Sequence, residues 1–148
     1  MKIIKFKKLR DDFVVPKKAT DNSACFDIYA TSEIEFKVTP FNKYIHVYHL
    51  GFSTELPNGF HVKIYPRSSI RNKNCQLINS VGVIDQDYRG EWQVTFVSDS
   101  GFQPYDKGER IAQFEMVKTQ DEILFEAVND LSQTVRGEGG HGSTGQWF

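Results

Sequence analysis

An all-β fold, either a sandwich or a closed barrel, is the fold class that the amino-acid sequence predicts. Apolar and polar residues alternate with a period of two in several segments, as in a strand that buries one face. Turn-forming Gly, Pro and Asn residues separate these segments at short intervals. Many short strands at such spacing are typical of sandwiches and barrels.

Four segments carry the alternation most clearly, and we expect each to be a strand: 34–38, 44–48, 60–64 and 92–96. In the second of these, Ile45 and Val47 lie on one side and are expected to face the core. Turn signals fall at 39–40, 56–59, 100–101 and 107–108. Short helical turns are expected at 68–74 and 127–134.

Length and charge limit the kinds of function. The chain has 148 residues, of which 39% are hydrophobic and 25% charged, which suits one domain with its own core. The net charge of −1 provides no overall basic field, so direct nucleic-acid binding is not expected. The two cysteines form no metal-binding cluster, and such usage suits a reducing compartment.

Nothing in the sequence predicts a leader or a membrane segment. The first ten residues are too charged for a signal peptide. No stretch approaches the ~20 apolar residues that a membrane helix needs. We therefore expect a cytoplasmic protein, in the host cytoplasm if the source is viral.

Residues 136–145 differ from the rest because five of the ten are glycine. Glycine at this density costs much backbone entropy to order, so a flexible tail is one interpretation. The other is an arm that grips phosphate, since glycine amides can curve around an anion and Arg136, Ser143 and Thr144 add donors. Composition alone slightly favours the tail.

Two earlier segments also combine polar groups with strand signals. Segment 24–30 places one carboxylate, Asp27, in an apolar strand, and it could equally be a solvent-exposed edge residue. In segment 65–70, Pro66 ends a strand and Ser68 or Ser69 can cap a helical turn. Exposed amides beside Arg67 would suit an anion, although a plain helix cap has the same sequence.

Segments 79–91 and 107–113 complete the set. The first offers an amide that could read a base edge, a carboxylate that could activate water, and an aromatic ring. It could also be a polar β-hairpin with turn aspartates. The second is a charged turn that leads into a strand, and Glu109 and Arg110 could form a structural ion pair there.

Taken in order, these five segments resemble the five sequence motifs of homotrimeric dUTPases (deoxyuridine 5'-triphosphate nucleotidohydrolases). The resemblance implies a distorted jelly-roll-like β-barrel over 1–135 and a flexible glycine-rich C-terminal arm over 136–148 that closes over an active site. It also implies hydrolysis of dUTP to dUMP and pyrophosphate by attack of water on the α-phosphorus. That reaction limits uracil incorporation into DNA and supplies dUMP for thymidylate synthesis.

The resemblance also assigns roles to residues. Asp85 would be the general base, and Gln113 would help to order phosphate and water. Asp27 would hold Mg²⁺ through water, which fits an ion that retains most of its water ligands. The remaining positions that match the family's substrate contacts are Arg67, Ser68, Ser69, Asn79, Gly82, Val83, Ile84, Tyr88, Arg136, His141, Gly142, Ser143 and Thr144.

Within that set, Asn79 and neighbouring backbone groups would bind uracil, and Tyr88 would pack on the deoxyribose. Arg136, with the two arm hydroxyls, would contact the γ-phosphate. Two positions depart from the family pattern. Cys25 stands where glycine is usual, and His141 stands where a phenylalanine usually closes over the base.

The resemblance further implies a homotrimer whose active sites are shared. Motifs one, two and four would come from one subunit, motif three from a second and the arm from a third. Two alternatives are a dCTP deaminase on the same fold and a dUTPase-like regulator that binds a partner protein. The string from Asp85 to Tyr88 fits the hydrolase rather than the deaminase.

Overall fold

The computed structural model describes residues 1–41, 43–120 and 123–140, and its regular structure is almost entirely β. One short 3-10 helix, Ser68–Asn72, lies among the strands. The strands are β1 Lys5–Lys8, β2 Phe26–Tyr29, β3 Ile34–Val38, β4 Tyr44–His49, β5 Phe52–Glu55, β6 Phe60–Pro66, β7 Cys75–Leu77, β8 Gly82–Ile84, β9 Gln93–Ser98 and β10 Arg110–Lys118.

Two four-stranded antiparallel sheets and one small ribbon make up the fold. One sheet has the order β2-β10-β6-β8, and the other has the order β3-β4-β9-β7. Strands β1 and β5 form the two-stranded ribbon. From β6 to β10, consecutive strands alternate between the two large sheets, and the predicted all-β, jelly-roll-like fold is confirmed. Within the described part of the chain, no helix has the length and apolarity needed to cross a bilayer.

The core lies between the two large sheets and is rich in aromatic rings. Trp92 is 1% exposed and packs edge-on against Phe114 of β10, with 5.3 Å between ring centroids. Its indole N–H donates to the Thr54 hydroxyl at 3.0 Å. Burial of such rings stabilises the fold by roughly 25 cal/mol per Å² of apolar area removed from water. Trp92 is therefore a central residue of the core.

The alternation predicted the burial of strand β4 only in part: Val47 is buried as expected, but other side chains are buried too. His46 and Tyr48 are almost completely buried, whereas Ile45 is only partly buried. Hydrogen bonding explains how polar side chains occupy this face: the Tyr48 hydroxyl donates to the carbonyl of Tyr105 and accepts from its N–H. A prediction that uses only the positions of apolar residues does not identify polar side chains that are buried with their hydrogen bonds satisfied.

Three further expectations are corrected by the structure. The alternating face of β3 is exposed within the chain, since Phe36 is 52% exposed on an edge strand. Segment 79–91 contains one strand, β8, which pairs with β6, so the alternative of a β-hairpin within this segment is wrong. Residues 127–134 contain no helical turn.

Burial lowers the pKa of His46, which is held 3.2 Å from the Ser98 hydroxyl. The unfolded chain binds the proton at the ordinary, higher pKa, so this histidine stabilises the fold above that pKa and the contribution is lost as pH falls. We predict that the free energy of unfolding decreases from about pH 7.5 to about pH 5.5, and less steeply in His46→Gln.

Urea unfolding at several pH values measures this dependence. His61→Gln, which removes a histidine at the surface of β6, controls for the histidine count. If the free energy of unfolding depended on pH equally steeply in wild type and in His46→Gln, the assignment of this dependence to His46 would be wrong.

Candidate functional site

A polar cleft of about 690 Å³ lies where β2, β10 and the end of β6 meet. Asp27 of β2, Arg67 beyond β6 and Arg110 of β10 line it. The cleft therefore collects one residue from each of three segments that are distant in sequence but adjacent in the sheet. Each of the three belongs to a segment that the sequence analysis singled out.

The Asp27 carboxylate joins the two arginines at the base of the cleft. Arg67 Nε donates to its Oδ1 at 2.7 Å, and Arg110 Nη1 donates to its Oδ2 at 3.1 Å. Asp27 is only 5% exposed, so the alternative of a solvent-exposed edge residue is wrong. A buried carboxylate requires such paired donors to offset the loss of hydration.

Strand register explains why these side chains share one face. Asp27 pairs with Gln113, which also pairs with Tyr65, and paired residues in antiparallel strands point to the same side. Arg67 lies two residues after Tyr65 and keeps the extended backbone, so it falls on that side too.

Arg110 reaches the same face through an irregularity. Between Arg110 and Ala112 the register shifts, so two steps along β10 match a single step along β2. The shift places Arg110 opposite Tyr29, which shares a face with Asp27. Without this bulge, strand alternation would turn Arg110 away from Asp27.

Gln113 fixes the backbone that leads into Arg67. Its side-chain Nε2 donates to the carbonyl of Pro66 at 3.0 Å. The 3-10 helix that follows has Arg67 at its N-cap with no side-chain cap bond. The expected capping by Ser68 or Ser69 is therefore wrong. Ser69 instead accepts a hydrogen bond from Arg67 Nη1 at 3.3 Å, and Ser68 is exposed.

Lys73 and Glu109 form a second ion pair on the cleft wall. Lys73 Nζ lies 3.1 Å from Glu109 Oε1 and 4.7 Å from the centre of the Tyr105 ring. Burial opposes ionisation of Glu109, but the N–H of Asp106 and the lysine outweigh it and lower its pKa. The alternative of an ion pair between Glu109 and Arg110 is thus wrong.

The lining of the cleft carries a surplus of three positive charges. Two carboxylates face five cationic side chains, namely Lys17, Lys18, Arg67, Lys73 and Arg110. A partly enclosed surface with this excess favours polyanions such as phosphate chains. Sequence reasoning missed the three lysines, although the Lys17-Lys18 doublet just before the Asp27 segment was a visible signal.

The third segment, with Asp85, lies outside this cleft. Ile84 pairs with Val62, so Asp85 continues toward the start of β6. Gln86 fixes it there, because its side chain accepts from the Gly59 N–H at 2.8 Å. Arg67 lies beyond the other end of β6, six residues along the chain from the position opposite Asp85. Six residues of an extended strand span about 20 Å.

The chain around Asp85 is held by local contacts. Arg89 donates to the carbonyls of Gln86 at 2.8 Å and Tyr88 at 3.1 Å, and these bonds stabilise the loop. The Tyr88 hydroxyl donates to the carbonyl of Glu91 at 3.1 Å, and its ring folds over Gly90. A Cβ on Gly90 would lie 2.3 Å from that hydroxyl, so the ring position requires glycine.

The turn before β8 has a left-handed residue. Ser80 has φ 59°, and Val81 N–H bonds to the carbonyl of Asn79 at 2.5 Å. A non-glycine residue in this region is uncommon and is often found at a functional site. After it, Gly82 packs closely on β6, since a Cβ there would lie 3.2 Å from Cβ of Ile64.

The structure tests only part of the glycine-rich segment. Arg136 is exposed, and its Nε donates to the carbonyl of Gly139 at 3.0 Å. It does not line the cleft of its own chain. The other arm residues to which roles were assigned lie outside the described residues: His141, Gly142, Ser143 and Thr144.

The comparisons with known proteins all indicate the same family. A family model described as dUTPase matches residues 11–145. The chain is 38% identical over 141 residues to the deoxyuridine 5'-triphosphate nucleotidohydrolase of a Hydrogenobaculum species, a match that covers 94% of this chain and 95% of that relative.

Solved structures show the same fold. The dUTPase of Staphylococcus bacteriophage 80alpha with dUpNHpp superposes with a TM-score of 0.78 at 21% identity, covering 97% of this chain and 99% of that one. A dUTPase from phage phi11 of S. aureus, whose structure is described as revealing the coordination of a structural Mg(II) ion, has a TM-score of 0.68 at 16% identity and covers 86% and 97% of the two chains.

Removal of the shared carboxylate should destabilise the fold. We predict that Asp27→Asn lowers the free energy of unfolding by about 1–3 kcal/mol, because two arginines lose their charged acceptor. Partial exposure of the arginines keeps the loss below that of a fully buried pair. Urea unfolding measures it. Asp99→Asn, which removes an exposed partner of Lys43, should cost under about 0.5 kcal/mol, and equal losses would refute the special role of Asp27.

Proposed function

Because the chain belongs to the dUTPase family and hydrolyses dUTP to dUMP and pyrophosphate, we propose that its cleft binds the triphosphate while Asp85 of another copy activates the attacking water. The observation that supports this division is the position of Asp85, outside the cleft and at the opposite end of β6 from Arg67. One chain therefore presents two separate half-sites.

The phosphate half-site neutralises charge. The two arginines that share Asp27 present their remaining N–H groups to the cleft, where they can donate to phosphate oxygens. Donors held in place before the reaction stabilise the charge that develops on leaving pyrophosphate without further reorganisation. Gln113 contributes by fixing the backbone before Arg67, and Ser68 is exposed beside that arginine for a phosphate contact.

Magnesium fits this half-site only as an ion shared with substrate. Within the described ranges, no group of three His, Cys, Asp or Glu side chains could hold a metal. Mg²⁺ retains water and binds substrate phosphates readily, so one carboxylate in the cleft is enough to orient its water ligands. Asp27 lines the cleft and can do so through the lone pairs that its arginines leave free. When bound, the ion would neutralise phosphate charge.

The nucleoside half-site follows from the loop around Asp85. Asp85 is exposed, so its carboxylate can accept a proton from water held against the α-phosphorus of a substrate bound to a neighbouring copy. The left-handed turn at Ser80 orients Asn79 and the β8 backbone, Gly82, Val83 and Ile84, toward the uracil edge. A site that pairs every polar group of uracil rejects cytosine, because cytosine would leave buried groups unpaired.

Sugar selectivity belongs to Tyr88 in this proposal. The hydroxyl bond to Glu91 and the packing on Gly90 hold the ring in one position. A ring that is fixed against C2′ of the deoxyribose leaves no space for a 2′-hydroxyl. UTP would therefore bind with a steric clash that dUTP does not have.

The C-terminal segment supports assembly of three copies. Leu124 and Phe125 are 92% and 97% exposed in the isolated chain, and Leu131 and Val135 are also exposed. Exposure of so many large apolar side chains in one segment marks a surface that another chain covers. If this segment packs on a neighbouring copy, the arm, 136–148, would reach an active site on that copy. The Arg67 in that site would then come from another subunit and not from the arm's own chain. A closed trimer then completes three equal sites.

The arm then closes each site. Arg136 and the hydroxyls of Ser143 and Thr144 would contact the γ-phosphate, Gly142 would let the backbone approach, and His141 would cover the base. Such closure excludes water from the reaction. We place this activity in the cytoplasm, where it removes dUTP before DNA synthesis.

Loss of the proposed base should slow turnover strongly without loss of assembly. We predict that Asp85→Asn lowers kcat by about 10² or more, as removal of a positioned base does, and leaves dUTP-analogue affinity within a few-fold. Steady-state kinetics and calorimetry measure the two quantities. The control is Asp87→Asn in the same exposed loop, with turnover within about threefold of wild type. Turnover of Asp85→Asn at the control level would exclude it as the base.

Displacement of the Tyr88 ring should weaken sugar discrimination. We predict that Gly90→Ala, whose methyl group would clash with the ring, narrows the ratio of kcat/KM for dUTP over UTP by about tenfold. Tyr88→Ala should narrow it at least as much. Tyr88→Phe keeps the ring and loses only the bond to Glu91, so it should stay near the wild-type ratio. If the ratio of kcat/KM for dUTP over UTP were unchanged in both Gly90→Ala and Tyr88→Ala, residues other than Tyr88 would determine the sugar selectivity.

A further inference from the structure

Lys17 occupies a defined position beside the phosphate half-site although it precedes the first motif segment. The Asp27 N–H donates to the Lys17 carbonyl at 2.9 Å, and the two residues form an antiparallel bridge. Residues opposite each other in such a bridge direct their side chains to one face. Lys17 thus extends the row formed by Asp27 and Gln113 across the sheet.

The other cations of the cleft already have partners. Arg67 and Arg110 bind Asp27, and Lys73 binds Glu109. The Lys18 ammonium lies 5.5 Å from the centre of the Phe26 ring, where a cation–π contact holds it. In the part of the chain that the structure describes, Lys17 has no carboxylate within 4.0 Å.

We propose that Lys17 binds the β- or γ-phosphate of dUTP and retains this contact with the leaving pyrophosphate. The inference rests on the proposed function of the cleft. If Asp85 of another copy delivers water to the α-phosphorus, the nucleoside lies toward that copy. The pyrophosphate half then lies in the cationic cleft beside Lys17.

The bond changes give this contact a catalytic consequence. The oxygen of water bonds to the α-phosphorus, its proton passes to Asp85, and the bond from the α-phosphorus to the bridging oxygen breaks. The electron pair of that bond leaves with pyrophosphate. A fixed ammonium group beside pyrophosphate stabilises the added negative charge more than it stabilises the bound triphosphate, so it assists the step as well as binding.

Calorimetry with inorganic pyrophosphate and with dUMP, both in Mg²⁺ buffer, separates the two halves of the site. We expect Lys17→Ala to weaken pyrophosphate affinity about tenfold and to lower kcat/KM for dUTP about tenfold, since a charged contact is lost. The affinity for dUMP should stay the same. Lys17→Arg, which retains the charge, should recover both values to within about threefold. Lys43→Ala, an exposed lysine outside the cleft, controls for the change in net charge.

Three results would overturn the inference. Pyrophosphate affinity could be unaffected by Lys17→Ala, or dUMP affinity could fall by the same factor, which would place the contact on the nucleoside half. Equal losses of pyrophosphate affinity in Lys17→Ala and Lys18→Ala would indicate that the overall positive charge of the cleft attracts pyrophosphate, rather than a direct contact with Lys17. Failure of the proposed function is distinguishable, because it would appear as an active Asp85→Asn enzyme, whatever the result at Lys17.

Discussion

The pairing register of β6 is the constraint on which the site depends. This strand lies between β10 and β8 in its sheet, so its length sets the distance between the groups at its two ends. Arg67 follows its last residue, and the partner register of β8 places Asp85 near its first. A packed, hydrogen-bonded strand does not shorten, so the proposed chemistry, which uses both groups, would combine different copies of the chain. In this account, oligomerisation is required because one chain alone does not bring Arg67 and Asp85 into the same site.

Within one copy, the shared carboxylate of Asp27 organises the phosphate half-site. It joins β2, β10 and the segment after β6, and the bulge in β10 is what turns Arg110 toward it. The same carboxylate limits how the two arginines can move. In the proposed function, substrate binding would use the same ion pairs that stabilise the fold.

The sequence predicted the fold class, the strands over 60–64 and 92–96 and the short helical turn after Pro66, because local alternation and turn chemistry determine these features. It did not predict that His46 and Tyr48 face the core, since their burial depends on partners distant in sequence. Asp27, Arg67 and Gln113 could be identified from motifs. Their contacts could not, because the bulge at Ile111 and the pairing of Glu109 with Lys73 depend on register and on long-range packing.

Complementation between two inactive variants tests the central claim most directly. Arg67→Ala removes the phosphate half-site, and Asp85→Asn removes the base, so each protein alone should be inactive. If the two half-sites come from different subunits of a trimer, unfolding and refolding an equal mixture should restore about one quarter of wild-type activity, because a quarter of randomly assembled sites receive both intact residues. If one chain supplied both residues to the same site, the refolded mixture would stay as inactive as its components, and that result would contradict the account.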